Sequence, residues 1–338
     1  MKLLITTQKV NKNDGNLGFF HGWIREFAKQ CEQVTVICLE GGPHDLPKNV
    51  RVLSLGKERG VGRFGYITNF YRYIWRYRHE YDAVFVHMNS EYLVLGGFLW
   101  KLWHKRVALW YVHHSITWHL RLGMRWTDMV FTAARESFRL PTKKSVYVFG
   151  HGIDTELFQP KQSQVIHTPL ALLVDARISS SKKLENILAI SRLLQERGCA
   201  HVVTIIGAAI TPEDKLYLQA LLTEINQDQL LIKIVGAVPF PEIPTYYAAA
   251  DIFLNQANIG GLNKVVLQAM ACNLYVLTSN EAYRAILPPG QIMQPEPKDF
   301  MEAIHARVVH QEPVQTRDAI LRDHSLPTLL HRIIKCLS

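Results

Sequence analysis

Ala171-Leu172-Leu173-Val174-Asp175-Ala176-Arg177-Ile178-Ser179-Ser180-Ser181-Lys182-Lys183 is the stretch on which the fold is read. A short continuous apolar run reads as a strand covered on both faces, as in parallel sheets. The polar, cationic residues after it read as a loop, and Lys183–Arg197 then carries apolar residues at helical spacing. The same unit recurs in both directions. Upstream, Leu3–Thr7, Val34–Leu39, Val50–Leu53, Ala83–His87, Val107–His113, Met129–Thr132 and Val146–Phe149 read as strands. Leu17–Gln30, Phe64–His79, Tyr92–Trp103 and Ile116–Gly123 read as helices between them. Downstream, strands are expected at Val202–Ile206, Leu230–Val235, Ile252–Asn255, Tyr275–Thr278 and Gln291–Met293. Helices are expected at Pro212–Ile225, Ile243–Ala249, Asn263–Cys272 and Lys298–His310. Strand–helix alternation predicts α/β architecture with helices on both faces of parallel sheets.

The polar segment Gln159–Thr168 interrupts the alternation near the middle of the 338 residues and reads as a linker. The expected division is a first domain over 1–160, a second over 161–316, and a helical tail over 317–338 that can return to the first domain. Two such doubly wound domains would leave a cleft between them. Hydrophobic residues at 48% and charged residues at 20% exclude a disordered or low-complexity chain. Five scattered cysteines, none in Cys-x-x-Cys spacing, suggest neither a zinc site nor a disulfide framework and fit a reducing compartment. The opening Met1-Lys2-Leu3-Leu4-Ile5 turns polar at once, unlike a signal peptide, and no run reaches a membrane span of roughly 20 residues. A cytoplasmic protein is expected. Its net charge of +9 favours anionic partners, although a solvated basic surface reads equally well.

Ligands of open α/β sheets gather beyond the carboxyl ends of the strands. Arg177 and Lys182 lie on such a loop, and a guanidinium fork with an ammonium point charge suits a diphosphate. The plain alternative is a basic loop on a basic protein. A second loop, Gly260-Gly261-Leu262-Asn263-Lys264, precedes a helix whose amide groups and dipole favour an anion. Lys264 in the first turn runs against the dipole, which points to an external anion. The alternative there is a simple turn with Asn263 as the helix cap.

His151-Gly152-Ile153-Asp154-x-x-x-Phe158, Arg177 with Lys182, Val235-Gly236-x-Val238, Ile243-Pro244-x-Tyr246-Tyr247-x-x-Ala250-Asp251 and Leu267-Gln268-Ala269-Met270-Ala271-Cys272 occur in this order. Together they resemble the retaining glycosyltransferases of family 4, the glycosyl transferases group 1, over essentially the whole chain. The resemblance implies the GT-B fold, two Rossmann-like domains facing across a cleft. It implies a nucleotide-sugar donor bound mainly by the second domain, and a saccharide or lipid-linked acceptor bound mainly by the first. The reaction would serve glycan, lipopolysaccharide or exopolysaccharide assembly. No cofactor is implied and no metal, and the sequence has no Asp-x-Asp pair. By the same resemblance Arg177 and Lys182 would hold the diphosphate, Gly236 and Val238 would flank the base, and Gly18 with Gly260, Gly261, Leu262, Asn263, Lys264 and Gln268 would complete the donor site. His114, and with it His113, stands where the family contacts the transferred sugar, and His151 is a further candidate for such contact or a hinge residue. His87 is expected to be structural. The family pattern usually has two glutamates where this chain has Gly260 and Gln268, so a non-catalytic binding or scaffold protein of the same shape is the alternative.

Arg63–His79 interleaves aromatic residues with arginines, and Leu99–Arg106 repeats the mixture. Such a helix suits an anionic membrane surface, or it packs its rings on the sheet and leaves its arginines in water. Packing is expected for most rings. Nucleic acid, which this composition also suits, is not expected as a partner.

Overall fold

The first strand, β1 (Lys2–Val10), sends Leu3 and Ile5 to one face of its sheet and Leu4 to the other. That period-two alternation with both faces apolar is why it sits in the interior of the sheet. The computed structural model describes residues 1–161, 165–256, 261–311 and 314–338. It divides into unit 1, Met1–Asp154 with Asp323–Ser338, and unit 2, Thr155–Arg322.

In unit 1, β1 is followed by α1 (Phe19–Gln30), β2 (Gln33–Gly41), β3 (Val50–Ser54), α2 (Arg63–Arg76), β4 (Ala83–His87) and α3 (Glu91–Leu102). Then come β5 (Arg106–Trp110), α4 (Trp118–Gly123), β6 (Met129–Thr132) and β7 (Ser145–Val148). The seven strands pair in the order β3-β2-β1-β4-β5-β6-β7, all parallel. One face is covered by α2, α3 and α4 through Phe70, Ile74, Leu93, Trp100 and Leu120. On the other face α1 meets the C-terminal helix of the chain, whose Leu326, Leu329, Leu330, Ile333 and Leu337 recur at helical spacing and join the core.

Unit 2 runs β8 (Leu170–Asp175), α5 (Leu184–Glu196), β9 (His201–Ile206), α6 (Pro212–Gln227), β10 (Ile232–Gly236), α7 (Ile243–Ala248) and β11 (Ile252–Asn255). It continues through α8 (Lys264–Ala271), β12 (Tyr275–Thr278) and α9 (Pro297–His310). Next, α10 (Arg317–Asp323) leads back to unit 1 and to α11 (Leu326–Leu337). The sheet order is β10-β9-β8-β11-β12, again all parallel. Gln291–Met293 is not a strand of this sheet. Pro288 and Pro289 open a single 3-10 turn there, and only an isolated bridge joins Ile292 to Thr278. Similarly β5 stops at Trp110, so His113 and His114 stand on the loop beyond it.

A candidate anion site at the strand ends of unit 2

In unit 2 the strand order reverses between β8 and β11, and the crevice outside such a reversal is where open sheets bind ligands. β8 delivers Asp175 to this point, and Ala176-Arg177 turns away from it. The turn is possible because residue 207 is glycine: with φ at +136°, a Cβ there would lie 2.0 Å from the Ala176 carbonyl oxygen. Ile178 N–H donates to the Ala208 carbonyl at 3.0 Å and holds the loop down on the end of β9. A single 3-10 turn, Ser180–Lys182, then leads through Lys183, left-handed at φ 49°, into α5.

Arg177 is half-exposed, its Nε 3.8 Å from Asp214. Asp214 is the capping-box residue of α6, accepting from the backbone N–H groups of Thr211 and Ile210. The Thr211 N–H first, and the Arg177 charge further down, hold its carboxyl below the usual range. Lys182 is partly buried. Burial, and then the like charge of Arg177, pull its ammonium below the usual lysine value. Arg177 and Lys182 are thus brought together on one loop, and the Arg177 charge makes the Lys182 ammonium more costly.

Behind the loop sits a polar cluster assembled from three elements. Tyr247 of α7 donates its hydroxyl to Asp175 at 2.8 Å, and the same oxygen is 3.4 Å from Gln268 Oε1 on α8. Burial pushes the Asp175 carboxyl up to about 6, the tyrosine hydrogen bond acting against it. Gln268 is buried. Neither Asp175 nor Tyr247 is among the site residues expected from sequence: Tyr247 enters there only within a family motif, and Asp175 only at the end of an apolar strand, which was the available signal.

The loop before α8 carries Gly261, Leu262, Asn263 and Lys264, while Gly260 lies outside the described residues. Asn263 is the N-cap residue of α8, but its side chain makes no capping bond. Instead Tyr283, also unanticipated, fastens its backbone: the phenol accepts from Asn263 N–H and donates to Asn263 O at 2.9 Å. Asn280 Nδ2 donates to the Gly261 carbonyl at 3.3 Å. Lys264 retains some surface, yet the atoms crowded around it push its ammonium well below the usual value. Gly236 ends β10 at φ +86°, its carbonyl accepting from Gly207 N–H at 2.8 Å, and Val238 is buried just after it.

Of the candidates in unit 1, Gly18 is the N-cap of α1. His113 and His114 are exposed on the loop after β5. His114 Nδ1 is 2.9 Å from the Glu136 carbonyl, so it carries the hydrogen and leaves Nε2 as acceptor. His113 Nδ1 accepts from Ser115 N–H at 3.0 Å, so its Nε2 is the donor. The two imidazoles therefore present opposite hydrogen-bonding faces. His151 is buried, its N–H donating to His324 at 3.3 Å. His87 is buried too, 3.1 Å from the Thr7 hydroxyl and stacked on Phe20 with centroids 3.8 Å apart.

Two parallel-sheet α/β units, each reversing strand order beside its first strand, define the GT-B fold. Residues 171–308, within unit 2, match the family described as glycosyl transferases group 1. A 137-residue segment is 29% identical to the amylovoran biosynthesis glycosyltransferase AmsK of Erwinia amylovora, covering 39% of this chain and 33% of the relative. A 145-residue segment is 28% identical to the putative colanic acid biosynthesis glycosyltransferase WcaL of Escherichia coli, covering 40% and 34%. The match thus spans about a third of the length of each relative. Among solved structures, Anabaena HepE in complex with UDP and glucose superposes with a TM-score of 0.77 at 17% identity, over 100% of this chain and 99% of that one. Sucrose-phosphate synthase from Thermosynechococcus elongatus superposes at 0.74 with 13% identity, over 100% and 99%.

Proposed function

We propose that this chain is a glycosyltransferase that takes a sugar from a nucleoside-diphosphate donor, UDP being the nucleotide, and passes it to a saccharide or lipid-linked acceptor of exopolysaccharide assembly. The family match of unit 2 supports the reaction class. The names of AmsK and WcaL support the acceptor class, and the UDP and glucose found with HepE support the donor. The observation that carries the reading is the pairing of Arg177 with Lys182 beyond β8, where the Lys182 ammonium is depressed by burial and by its cationic neighbour. A diphosphate relieves both costs. As the glycosyl bond breaks, charge grows on that diphosphate, and cations already fixed in place stabilise the leaving group. In this proposal the two cations do this without a metal ion, and the anomeric configuration is retained. The Gly261–Lys264 segment approaches the sugar and phosphates, Gly236 and Val238 flank the base, and the imidazoles of His113 and His114 contact the transferred sugar.

The buried Gln268 carboxamide, bonded to Tyr247 where the family pattern has a carboxylate, favours a second reading as a binding protein without turnover. One experiment separates them. The chain is titrated with UDP, GDP and ADP in a thermal-shift assay, then incubated with the corresponding labelled sugars, and any product is read by the coupling constant of its anomeric proton. Stabilisation by UDP with sugar released or transferred supports the enzyme. Stabilisation without turnover supports the binding protein, and indifference to every nucleotide ends both.

A further inference from the structure

The rings of the basic-aromatic helix fall into two sets. On α2, Phe70 and Ile74 are buried against the sheet, and Tyr66, Tyr73 and Tyr77 pack beside them. Phe64, Ile67, Tyr71 and Trp75 instead recur at intervals of three, four and four residues and point outward, 84%, 41%, 38% and 57% exposed. Phe98 and Leu102, one turn apart on α3, are each 61% exposed. The two helices are joined on this side: the Tyr71 hydroxyl donates to the Leu95 carbonyl at 3.0 Å, and Trp75 meets Trp103 edge to face at 5.7 Å. Every exposed phenylalanine and tryptophan among the described residues lies on α2, α3 or the start of α4, where Trp118 stands. Exposed apolar side chains scattered singly need no explanation, whereas a continuous row of them does.

We propose that the outer face of α2 and α3 docks on an anionic lipid bilayer. Arg63, Arg72 and Arg76 are exposed on the same helix as the apolar row, and α2 contains no acidic residue. On α3 the one acid is Glu91, at the N-terminus, 3.8 Å from His119. Aromatic rings rest at the headgroup level of a bilayer while arginines bind lipid phosphates, which is the combination presented here. Ile67 and Leu102 have no π-face for a nucleobase but suit the acyl boundary. A second copy of the chain would set arginine rows against each other. No described helix is long and apolar enough to cross a membrane, so the contact is peripheral.

The face belongs to unit 1 alone, and its test is independent of the donor reading. The full chain is sedimented with vesicles of phosphatidylcholine alone and with vesicles containing about one-third phosphatidylglycerol. The expected result is partition onto the anionic vesicles only. It should fall about tenfold in Phe64→Ser/Trp75→Ser and in Arg72→Glu/Arg76→Glu. All four side chains are exposed, so the UDP-induced shift stays as in the parent chain, and the melting temperature falls only slightly in the first variant, where Trp75 loses its contact with Trp103. Quenching of tryptophan fluorescence by brominated lipid should weaken in Trp75→Phe. Equal partition onto neutral vesicles, or full anionic binding by both double variants, overturns the proposal. So does a concentration-dependent dimer abolished by those variants, or capture of a single-stranded oligonucleotide that displaces the vesicles.

Discussion

Both sheets reverse strand order at the same place, β1 beside β4 in unit 1 and β8 beside β11 in unit 2, yet the two reversal points are filled in opposite ways. In unit 1, Phe20 stacks on His87, Thr7 reaches the imidazole, and Trp23 packs edge to face on Trp110 at 4.9 Å. These side chains are all buried. In unit 2 the equivalent strand end carries Asp175 under Tyr247, with Arg177 and Lys182 on the loop above. Topology offers a crevice twice. Side chains decide that one is closed by aromatic packing and the other keeps fixed cations at its rim.

The largest effect that separates the two is Phe20→Ala, which should cost unit 1 about 3–5 kcal/mol of stability in chemical denaturation. UDP-induced stabilisation of unit 2 should survive it; its loss would break the comparison. Next is Arg177→Ala. Removing a charge-assisted pair should weaken UDP binding by about 2–3 kcal/mol in calorimetry and leave the fold intact, because the side chain is half-exposed. Arg177→Lys should restore only part of the loss, since an ammonium cannot fork.

Asp175→Asn probes the cost of the buried carboxyl. With its folded value raised from 3.8 to about 6, the folded state binds more protons than the unfolded one between those limits. The contribution of this carboxyl to stability therefore falls as pH rises from 3.8 to about 6, against the opposite trend of carboxylates such as Asp214 and Asp251. The stability difference between the asparagine variant and the parent should therefore grow across that range to about 3 kcal/mol at neutral pH, read by denaturant midpoints across pH. The smallest effect concerns Lys182. Its ammonium is depressed in the free protein and would be raised again by a diphosphate, so UDP affinity should decline as pH climbs through the depressed value. A titration in buffers of different ionisation enthalpy should show proton uptake on binding, and Lys182→Arg should flatten the pH dependence.

The alternation of strands and helices, the parallel sheets and the cationic loop after β8 were legible because each rests on local spacing. Apolar runs, helical periodicity and the residues that follow a strand need no knowledge of distant chain. The expected strand at Gln291–Met293 failed because three residues next to two prolines leave too few backbone donors to extend a ladder. The pairing of Asp175 with Tyr247 was not legible for a different reason: 72 residues separate them, and nothing near either one announces the other. On α2 the spacing showed aromatic rows but not which row faces the sheet.

Sequence alone determined that this chain would build two parallel α/β sheets and would place Arg177 and Lys182 on the loop beyond a buried strand, since hydrophobic period and turn chemistry act over a few residues. Only the tertiary structure decided which reversal point is packed shut and that Tyr247 would meet both Asp175 and Gln268, and it turned the expected return of the tail into the packing of α11 in the core of unit 1. Those outcomes depend on strand order and on which surfaces compete for burial, and both are set by the whole folded chain.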